Sequence, residues 1–202
     1  LPGKYSHLYL AVGGVLAAVI CISDPLRQEA ADAVAALRQL GVSKIVMLTG
    51  DSERTAAAIA EQVGVDEYRS EVLPEDKARF VQEERAQGRT VVMIGDGIND
   101  SPALSAANVG VAISDGAAIA REIADITIAA DDLFELVKLR ALSSALMRRI
   151  RANYRFVIGF NGTLIALGAM GVLAPATSAM LHNLSTLGVS LRSMTNLLLP
   201  EK

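Results

Sequence analysis

Residues Met93–Leu104 read MIGDGINDSPAL, and this stretch decides how the chain folds. The apolar residues Val91–Ile94 predict a buried strand, and Asp96 and Asp100 follow it on a glycine-containing turn. Proline is favoured in the first turn of a helix, so Pro102 predicts that a helix begins directly after the turn. Open α/β sheets bind their ligands at the carboxyl ends of strands. Because Mg²⁺ prefers oxygen ligands, we predict a magnesium site on this turn.

Strands and helices alternate along the chain on both sides of this turn. Short apolar runs predict strands at Lys44–Leu48, Thr90–Ile94, Val109–Ile113 and Ile126–Ala129. Helical spacing and terminal signals predict helices at Asp24–Leu40, Ser52–Val63, Pro74–Gln87, Pro102–Ala107, Ala117–Ala124 and Leu133–Arg151. This alternation predicts an α/β fold in which helices cover both faces of a parallel sheet. Two earlier β-rich runs, Leu8–Val12 and Val15–Ile22, flank two glycines and predict a hairpin.

Acidic residues follow several of the predicted strands. A single acid in that position fits an ordinary helix N-cap, and Asp51, which precedes the helix beginning at Ser52, is such a case. Asp96 and Asp100 are different, because two acids so close together on one turn repel each other unless a cation lies between them. We therefore expect these two acids to bind magnesium.

Groups suited to a phosphoryl oxygen occur at two other positions. Thr49 and Gly50 offer a hydroxyl and a backbone N–H at the end of a predicted strand. Lys77 lies in a predicted helix, where a lysine by itself indicates a solvated surface charge. A phosphoryl site nevertheless needs a cation besides magnesium, and Lys77 is a candidate for it.

The composition excludes some classes of function. The 202 residues carry a formal net charge of −3, so charge gives no case for nucleic acid as a partner. The single cysteine, Cys21, offers neither a disulfide framework nor a metal cluster. Because it lies in an apolar run, we predict that it is buried.

The carboxyl-terminal part of the chain has a different pattern. Phe156–Leu173 is uncharged and has the length of a spanning helix, and Ala176–Leu191 is a second uncharged stretch. We expect two transmembrane helices, at about 156–174 and 176–199, in a domain over residues 151–202. Arginines cluster just before the first of them, so the positive-inside rule predicts that the α/β domain, residues 1–150, is cytoplasmic. The lipid bilayer is thus an expected partner.

Taken together, these motifs resemble the P-type cation ATPases, which are haloacid-dehalogenase-like hydrolases. The resemblance rests on Gly95–Leu104 (GDGINDSPAL), Thr49–Asp51 and Lys77, and it covers essentially the whole chain. Val109–Ile113, Asp125-Ile126 and the arginine-rich segment before the uncharged stretches are similar to the heavy-metal branch. The resemblance implies a haloacid-dehalogenase-like Rossmannoid parallel sheet followed by an all-α transmembrane hairpin in a bacterial cell membrane.

The resemblance also implies roles for the residues of the turn. Asp96 is implied to be a magnesium ligand, with Asp100 and Asn99 supporting the metal, its bound water and the phosphate. The implied reaction transfers the γ-phosphoryl group of ATP to an aspartate and then hydrolyses the aspartyl phosphate. Mg²⁺ and ATP are the implied cofactors, and magnesium and lysine offset the developing charge.

Residues outside the turn match the rest of the family pattern. Thr49, Gly50 and Lys77 resemble the phosphate clamp, and Asp51 resembles the acid of the same motif, near the nucleotide and the hinge. Asp24-Pro25 resembles the hinge motif.

The chain departs from the family pattern in one major respect. The nucleophilic aspartate of the family lies in a DKTGT motif, and no such motif occurs in the 202 residues. The actuator domain, the nucleotide-binding domain and the earlier membrane helices are expected as partners from the rest of the protein. We expect this chain to be the carboxyl-terminal portion of a pump and to be inactive by itself.

In the heavy-metal pumps that the chain resembles, these two helices supply part of the transport site, so polar residues within the uncharged stretches are implied to contact the transported cation. The candidates are Asn161, His182, Asn183, Ser185 and Thr186. Imidazole binds borderline transition metals well. The resembling copper pumps have methionine where His182 stands, so we expect a divalent transition metal rather than copper(I). Ordinary polar packing between helices is the alternative for the hydroxyl residues.

Two other functions remain open from the sequence. One is a soluble phosphatase of the same superfamily, which would have no need of the uncharged carboxyl-terminal stretches. The other is a catalytically dead, membrane-tethered remnant that keeps the sheet and lacks the nucleophile.

Overall fold

The computed structural model describes residues 6–22, 26–96, 99–113, 122–128 and 132–197. The chain divides into two compact units, Leu1–Val137 and Lys138–Lys202. The strands are β1 (Ser6–Val12), β2 (Val15–Ile22), β3 (Val46–Leu48), β4 (Glu67–Arg69), β5 (Val92–Gly95), β6 (Val109–Ile113) and β7 (Ile126–Ile128). The helices are α1 (Ala30–Gln39), α2 (Glu53–Val63), α3 (Pro74–Ala86), α4 (Ser101–Ala106), α5 (Phe134–Ala169) and α6 (Pro175–Ser193).

The first unit begins with the predicted hairpin. Strands β1 and β2 pair antiparallel, and Gly13 and Gly14 at the turn have φ of 60° and 81°. Such left-handed values suit glycine and match the twist of a two-residue hairpin turn. Cys21 is exposed, so the prediction that it is buried was wrong. The apolar run on which that prediction rested belongs to a two-stranded hairpin, whose side chains are largely exposed.

The α/β part of the first unit has parallel strands, as predicted. Strand β3 pairs with β4, and β5, β6 and β7 form a separate parallel group in that order. Strand β4 was not predicted, because its three residues EYR contain no apolar run. Helix α1 begins at Ala30 and not at Asp24, and the predicted hinge pair Asp24-Pro25 lies outside the described residues.

The helix termini follow their local signals. Ser52 caps α2, because its hydroxyl accepts from the N–H of Thr55 at 3.4 Å, and Gly64 ends the helix with φ of 75°. Proline occupies the first turn of both α3 and α4. Most of the predicted helix Ala117–Ala124 lies outside the described residues.

A small apolar core holds α3, β5 and α4 together. Val81, Met93, Ala103 and Leu104 are buried against one another, and Leu104 is 1% exposed. Ala78, Val91, Ala106, Ala107 and Ile123 pack around them. This cluster lies directly beneath the turn that joins β5 to α4, so the turn is anchored on both sides.

Ion pairs hold β3 and β4 to the end of α3. Lys44 Nζ lies 2.6 Å from Glu67 Oε2 and 3.6 Å from Glu84 Oε1. Its hydrogen bond with Glu67 raises the pKa of Lys44 and lowers the pKa of Glu67. Arg89 donates to Glu84, which lowers the pKa of that carboxyl group.

The second unit consists of most of α5 and all of α6. Helix α5 runs without interruption from the charged segment into the uncharged one and ends at Ala169, and Gly171 follows with φ of 75°. The guanidinium of Arg149 donates to the backbone oxygens of Ser193, the last residue of α6, and of Thr195 and Asn196, which follow it. A cation placed there stabilises a helix terminus.

The two transmembrane helices expected from the sequence are not confirmed. None of the helices in the described part of the chain is long and apolar enough to cross a membrane. The uncharged stretch Phe156–Leu173 is not a helix of its own, because α5 begins at Phe134 and ends before the stretch does.

Candidate active site

The candidate residues of the first unit lie at the carboxyl ends of two strands, β3 and β5. Thr49 and Asp51 follow β3, whereas Asp96, Asn99 and Asp100 follow β5. Lys77 comes from α3. Gly97 and Ile98, between Asp96 and Asn99, lie outside the described residues.

An ion pair joins α3 to the turn after β5. Lys77 Nζ lies 2.8 Å from Asp100 Oδ1, and the two side chains are only 15% and 13% exposed. Lys77 is therefore not a solvated surface lysine. The pairing brings together two residues 23 positions apart that the sequence had proposed for one site.

Glycine at position 95 makes room for the Asp100 carboxylate. A β-carbon at Gly95 would lie 2.6 Å from Asp100 Oδ2, which is closer than real contacts of this kind. Asp100 precedes α4, yet its side chain makes no capping hydrogen bond to that helix. Its carboxylate is instead held between the end of β5 and Lys77.

Asp96 and Asn99 shape the rest of the turn. The N–H of Asn99 donates to Asp96 Oδ1 at 3.2 Å, which is a local aspartate turn. Asp96 and Asn99 are exposed. Carboxylate oxygen is thus present on both sides of the turn, in Asp96 and Asp100.

The loop after β3 is held by hydrogen bonds within itself and to the segment after β4. The Thr49 hydroxyl donates to Asp51 Oδ2 at 2.7 Å and accepts from the Asp51 N–H at 3.1 Å. The N–H groups of Glu71 and Val72 donate to the backbone oxygens of Asp51 and Thr49, both at 2.9 Å. Asp51 does not cap α2, because Ser52 has that role.

A side-chain cluster that the sequence had not predicted fixes the start of α2. The Glu53 carboxylate accepts hydrogen bonds from the hydroxyls of Ser70 and Tyr68. These bonds lower the pKa of Glu53, with Ser70 as the larger cause, and the bond to Glu53 raises the pKa of Tyr68. Sequence spacing gave no signal, because these residues are 15 and 17 positions from Glu53 and meet only when β4 pairs with β3.

The magnesium prediction can be compared with the donors that are present. Among the described residues, no group of three or more His, Cys, Asp or Glu side chains could hold a metal ion. Magnesium usually takes one or two carboxylates and completes its shell with water and substrate phosphate. The two acids of the turn, with Gly95 leaving space for one of them, fit that smaller donor set.

The candidates of the second unit are partly brought together. His182 Nδ1 lies 2.9 Å from Asn161 Oδ1, which links α6 to α5. Asn161, His182 and Asn183 line one groove of about 1050 Å³. The hydroxyls of Ser185 and Thr186 donate to the backbone oxygen of His182 at 2.8 and 3.1 Å.

A family model for haloacid dehalogenase-like hydrolases matches residues 4–108, which is just over half of the chain. The chain belongs to this family. The matched range includes all of the candidate site residues of the first unit, namely Thr49, Gly50, Asp51, Lys77, Asp96, Asn99 and Asp100.

Relatives of this haloacid dehalogenase-like chain are heavy-metal P-type ATPases, which confirms the resemblance inferred from the motifs. It is 45% identical over 183 residues to the zinc-exporting P-type ATPase of Mycobacterium marinum, covering 90% of this chain and 25% of the relative. The manganese-exporting P-type ATPase of Mycobacterium tuberculosis is 44% identical over the same share of this chain and 26% of its own length. The copper-transporting ATPase 1 of Rhizobium meliloti is 46% identical, covering 87% and 21%.

A solved structure is similar over nearly the whole haloacid dehalogenase-like chain. The crystal structure of a zinc-transporting PIB-type ATPase in its E2.Pi state matches with a TM-score of 0.83 and 33% identity. The match covers 95% of this chain and 31% of that one. The chain therefore spans about a quarter of the length of the curated relatives it matches.

Proposed function

We propose that the complete protein is an ATP-driven pump for a transition-metal cation, which works through an aspartyl-phosphate intermediate. This chain would contribute the groups that hold magnesium and the phosphoryl oxygens. The observation that carries the proposal is the ion pair of Lys77 and Asp100 at 2.8 Å, nearly excluded from solvent, at the carboxyl end of β5. Phosphoryl transfer is catalysed mainly by positioning and by such fixed charges.

Magnesium would be held by Asp96 and Asp100, with Asn99 supporting them. When bound, it would neutralise charge on the phosphoryl oxygens. Asp100 would orient Lys77 as well as hold the ion, since one of its oxygens already accepts from Lys77. Gly95 supports this arrangement, because any larger residue would displace the Asp100 carboxylate.

The phosphoryl group would be clamped by Thr49, Gly50 and Lys77. The loop that carries Thr49 and Gly50 is braced by its hydrogen bonds to Glu71 and Val72. Asp51 would act next to the clamp. The Thr49 hydroxyl, whose single proton goes to Asp51 Oδ2 in this structure, would turn that proton to a phosphoryl oxygen when the group is bound. A braced loop lowers the cost of organising the site during the reaction.

The nucleophilic aspartate would come from a segment outside this chain. Strands β3 and β5 carry the two halves of the candidate site, yet each belongs to a different group of paired strands. Among the described strands, each therefore lies at the edge of its group. We propose that the strand bearing the nucleophile pairs between them, which would place its carboxylate among Thr49, Lys77 and Asp96.

The cargo would be a divalent transition-metal cation. The relatives are named for zinc, manganese and copper, so they do not single out one metal. His182 favours a borderline metal such as zinc, cobalt or manganese over copper(I). Asn161, Asn183, Ser185 and Thr186 remain the proposed companions of His182 around the ion.

A cation pump must act at a membrane, so we propose that the complete protein resides in a bacterial cell membrane with the first unit in the cytoplasm. Large apolar side chains of the second unit are exposed, among them Ile158, Ile165 and Leu187. In the complete protein they would meet lipid or its other helices. ATP would be bound mainly by a nucleotide-binding domain outside this chain.

The proposal is tested on the complete protein with labelled ATP. We expect a metal-dependent, hydroxylamine-labile phosphoenzyme, and we expect Asp96→Asn to lower metal-stimulated ATP hydrolysis at least about 100-fold. Glu61→Gln, an exposed substitution on α2 that also neutralises one acid, is the matched control and should keep the activity. Full activity in Asp96→Asn would contradict the proposal.

The 202-residue chain itself provides a second test. Without the nucleophile it should form no phosphoenzyme and should hydrolyse no phosphate monoester. Phosphatase activity of the chain alone would instead favour the soluble phosphatase, and an inactive complete protein would favour the catalytically dead remnant.

A further inference from the structure

Among the described residues that line the groove of the second unit, one direct contact between polar side chains spans both helices. Asn161 lies on α5 and His182 lies on α6, and His182 Nδ1 is 2.9 Å from Asn161 Oδ1. Asn161 is half-buried, whereas Leu164, one turn further along α5, is 6% exposed. The amide therefore sits next to a packed part of the helix and is well placed to orient its partner.

The chemistry of this contact determines which imidazole nitrogen carries the proton. An amide oxygen is an acceptor only, and Oδ1 is the amide atom placed against the ring, so we assign Nδ1 of His182 as the donor. In a neutral imidazole the lone pair is then on Nε2. The two nitrogens of a histidine are distinct, and the hydrogen bond of one sets the availability of the other.

We propose that Asn161 is a positioning residue that fixes His182 in its Nδ1–H tautomer and thereby presents Nε2 to the transported cation. The sequence had suggested that Asn161 is itself a ligand. The contact gives it a different role, because its Oδ1 is used by the imidazole. This inference rests on the proposed cation site, and it deepens that proposal by naming the coordinating atom.

Two hydroxyls bond to the backbone of the α6 turn that carries His182. Ser185 and Thr186 donate to the backbone oxygen of His182, at 2.8 and 3.1 Å. Their donors are thus used within the helix, as is common for hydroxyl residues in helices. The side-chain contact that orients the imidazole is therefore the one between Nδ1 and Asn161. Metal-binding histidines usually have such an acceptor on the second nitrogen, and its loss lowers metal affinity about 10- to 100-fold.

The tautomer can be measured directly, because the chain has only two histidines, at positions 7 and 182. His7→Gln leaves His182 as the single histidine of the 202-residue chain. In ¹⁵N-histidine NMR near pH 8 we expect Nδ1 to be protonated and Nε2 to have the shift of an unprotonated nitrogen. Addition of Zn²⁺ should move the Nε2 signal and leave Nδ1 protonated.

Three further variants in the same background separate positioning from packing. Asn161→Leu should shift His182 toward the Nε2–H tautomer and weaken Zn²⁺ binding about 10- to 100-fold. Asn161→Asp keeps an acceptor of the same shape and should restore the Nδ1–H tautomer. Asn183→Leu, which removes the neighbouring amide of the same groove, is the matched control and should leave the tautomer unchanged.

The inference is overturned if His182 is mainly in its Nε2–H tautomer in the His7→Gln chain with Asn161 and Asn183 unchanged. This result does not depend on how the further variants fold. It is also overturned if Asn161→Leu and Asn183→Leu have the same tautomer. The proposed function fails separately: metal-independent ATP hydrolysis by the complete protein would refute it even where the Nδ1–H tautomer is observed. Conversely, a metal-stimulated ATPase with the Nε2–H tautomer would refute only the role of Asn161.

Discussion

The turn between β5 and α4 and the hairpin of β1 and β2 are both short segments with glycines in their sequence, but they are stabilised in different ways. The turn lies on buried Met93, Ala103 and Leu104 and is tied to α3 by Lys77. The hairpin is regular because its two strands pair, whereas its apolar side chains, such as Leu10 and Leu16, are about half exposed. Regular backbone pairing is therefore no indication that a segment has a core of its own. The segment that carries the candidate chemistry has such a core.

The largest expected effect on stability comes from truncating one core side chain beneath the turn. Leu104→Ala should lower the free energy of unfolding of the 202-residue chain by about 2–5 kcal/mol, because Leu104 is 1% exposed and a cavity would remain. Urea unfolding followed by far-UV circular dichroism measures this. The same substitution in the hairpin, Leu16→Ala, should change the free energy by no more than about 0.5 kcal/mol. Equal losses at the two positions would show that the contrast between these regions is wrong.

The next effect comes from filling the space at the strand end. Gly95→Ala should cost about 1–3 kcal/mol, because the added β-carbon overlaps the Asp100 carboxylate and displaces it from Lys77. The control is the same substitution in an Asp100→Ala background, where the overlap is absent and most of the cost should disappear. An equal cost in both backgrounds would mean that the overlap is not the cause.

A smaller effect is expected from the ion pair of Lys44 and Glu67. Lys44 lowers the pKa of Glu67, so the pair stabilises the folded chain above the ordinary glutamate pKa and loses this contribution as the pH falls through the lowered value. Both side chains are about one third exposed, so Glu67→Gln should cost up to about 1 kcal/mol at pH 7. The difference in the free energy of unfolding between the unsubstituted chain and Glu67→Gln should shrink at about pH 4 and below. A difference that does not depend on pH would rule out the ionic contribution.

The smallest effect is expected for the labelling rate of the Cys21 thiol in the hairpin, compared between the folded and the unfolded chain. Cys21 is exposed, so a maleimide should label it in the folded chain at a rate within a few-fold of that in the urea-unfolded chain. The reaction is followed by mass spectrometry. A strong protection of Cys21 in the folded chain would indicate that the hairpin is covered and would remove the contrast with the turn.

The sequence predicted local structure well wherever the signals were local. The strand Val109–Ile113 was predicted with its observed bounds, and the ends of α2 and the start of α3 follow from Ser52, Gly64 and Pro74. Strand β4 was not predicted, because it forms by pairing with β3 and not by an apolar pattern of its own. The apolar pattern around Cys21 predicted the strand correctly but predicted wrongly that Cys21 is buried. The pattern of apolar residues indicates secondary structure, and it indicates only partly how exposed each side chain is.

The candidate site shows the same division. Asp96, Asn99 and Asp100 were predicted as one cluster because they lie on one turn, and the magnesium site predicted there, which rests on their oxygen atoms, stays a prediction. The uncharged stretches were predicted to be helices. The observed bounds differ for the first of them, because α5 begins at Phe134 and ends at Ala169. A hydropathy pattern by itself does not give the ends of a helix. Here the ends follow from terminal signals, because Gly171 follows α5 with a left-handed φ and Pro175 begins α6.

By itself, the sequence determined which chemical groups the candidate site offers and which strand ends carry them. Donor atoms belong to single residues, and strand–turn–helix signals depend only on neighbouring residues. Only the tertiary structure decided which groups meet. It paired Lys77 with Asp100 across 23 positions, Glu53 with Tyr68 and Ser70, and Asn161 with His182 across 21 positions. The physical reason is that a side chain reaches only a few ångströms, so its partner is determined by how strands pair and helices pack.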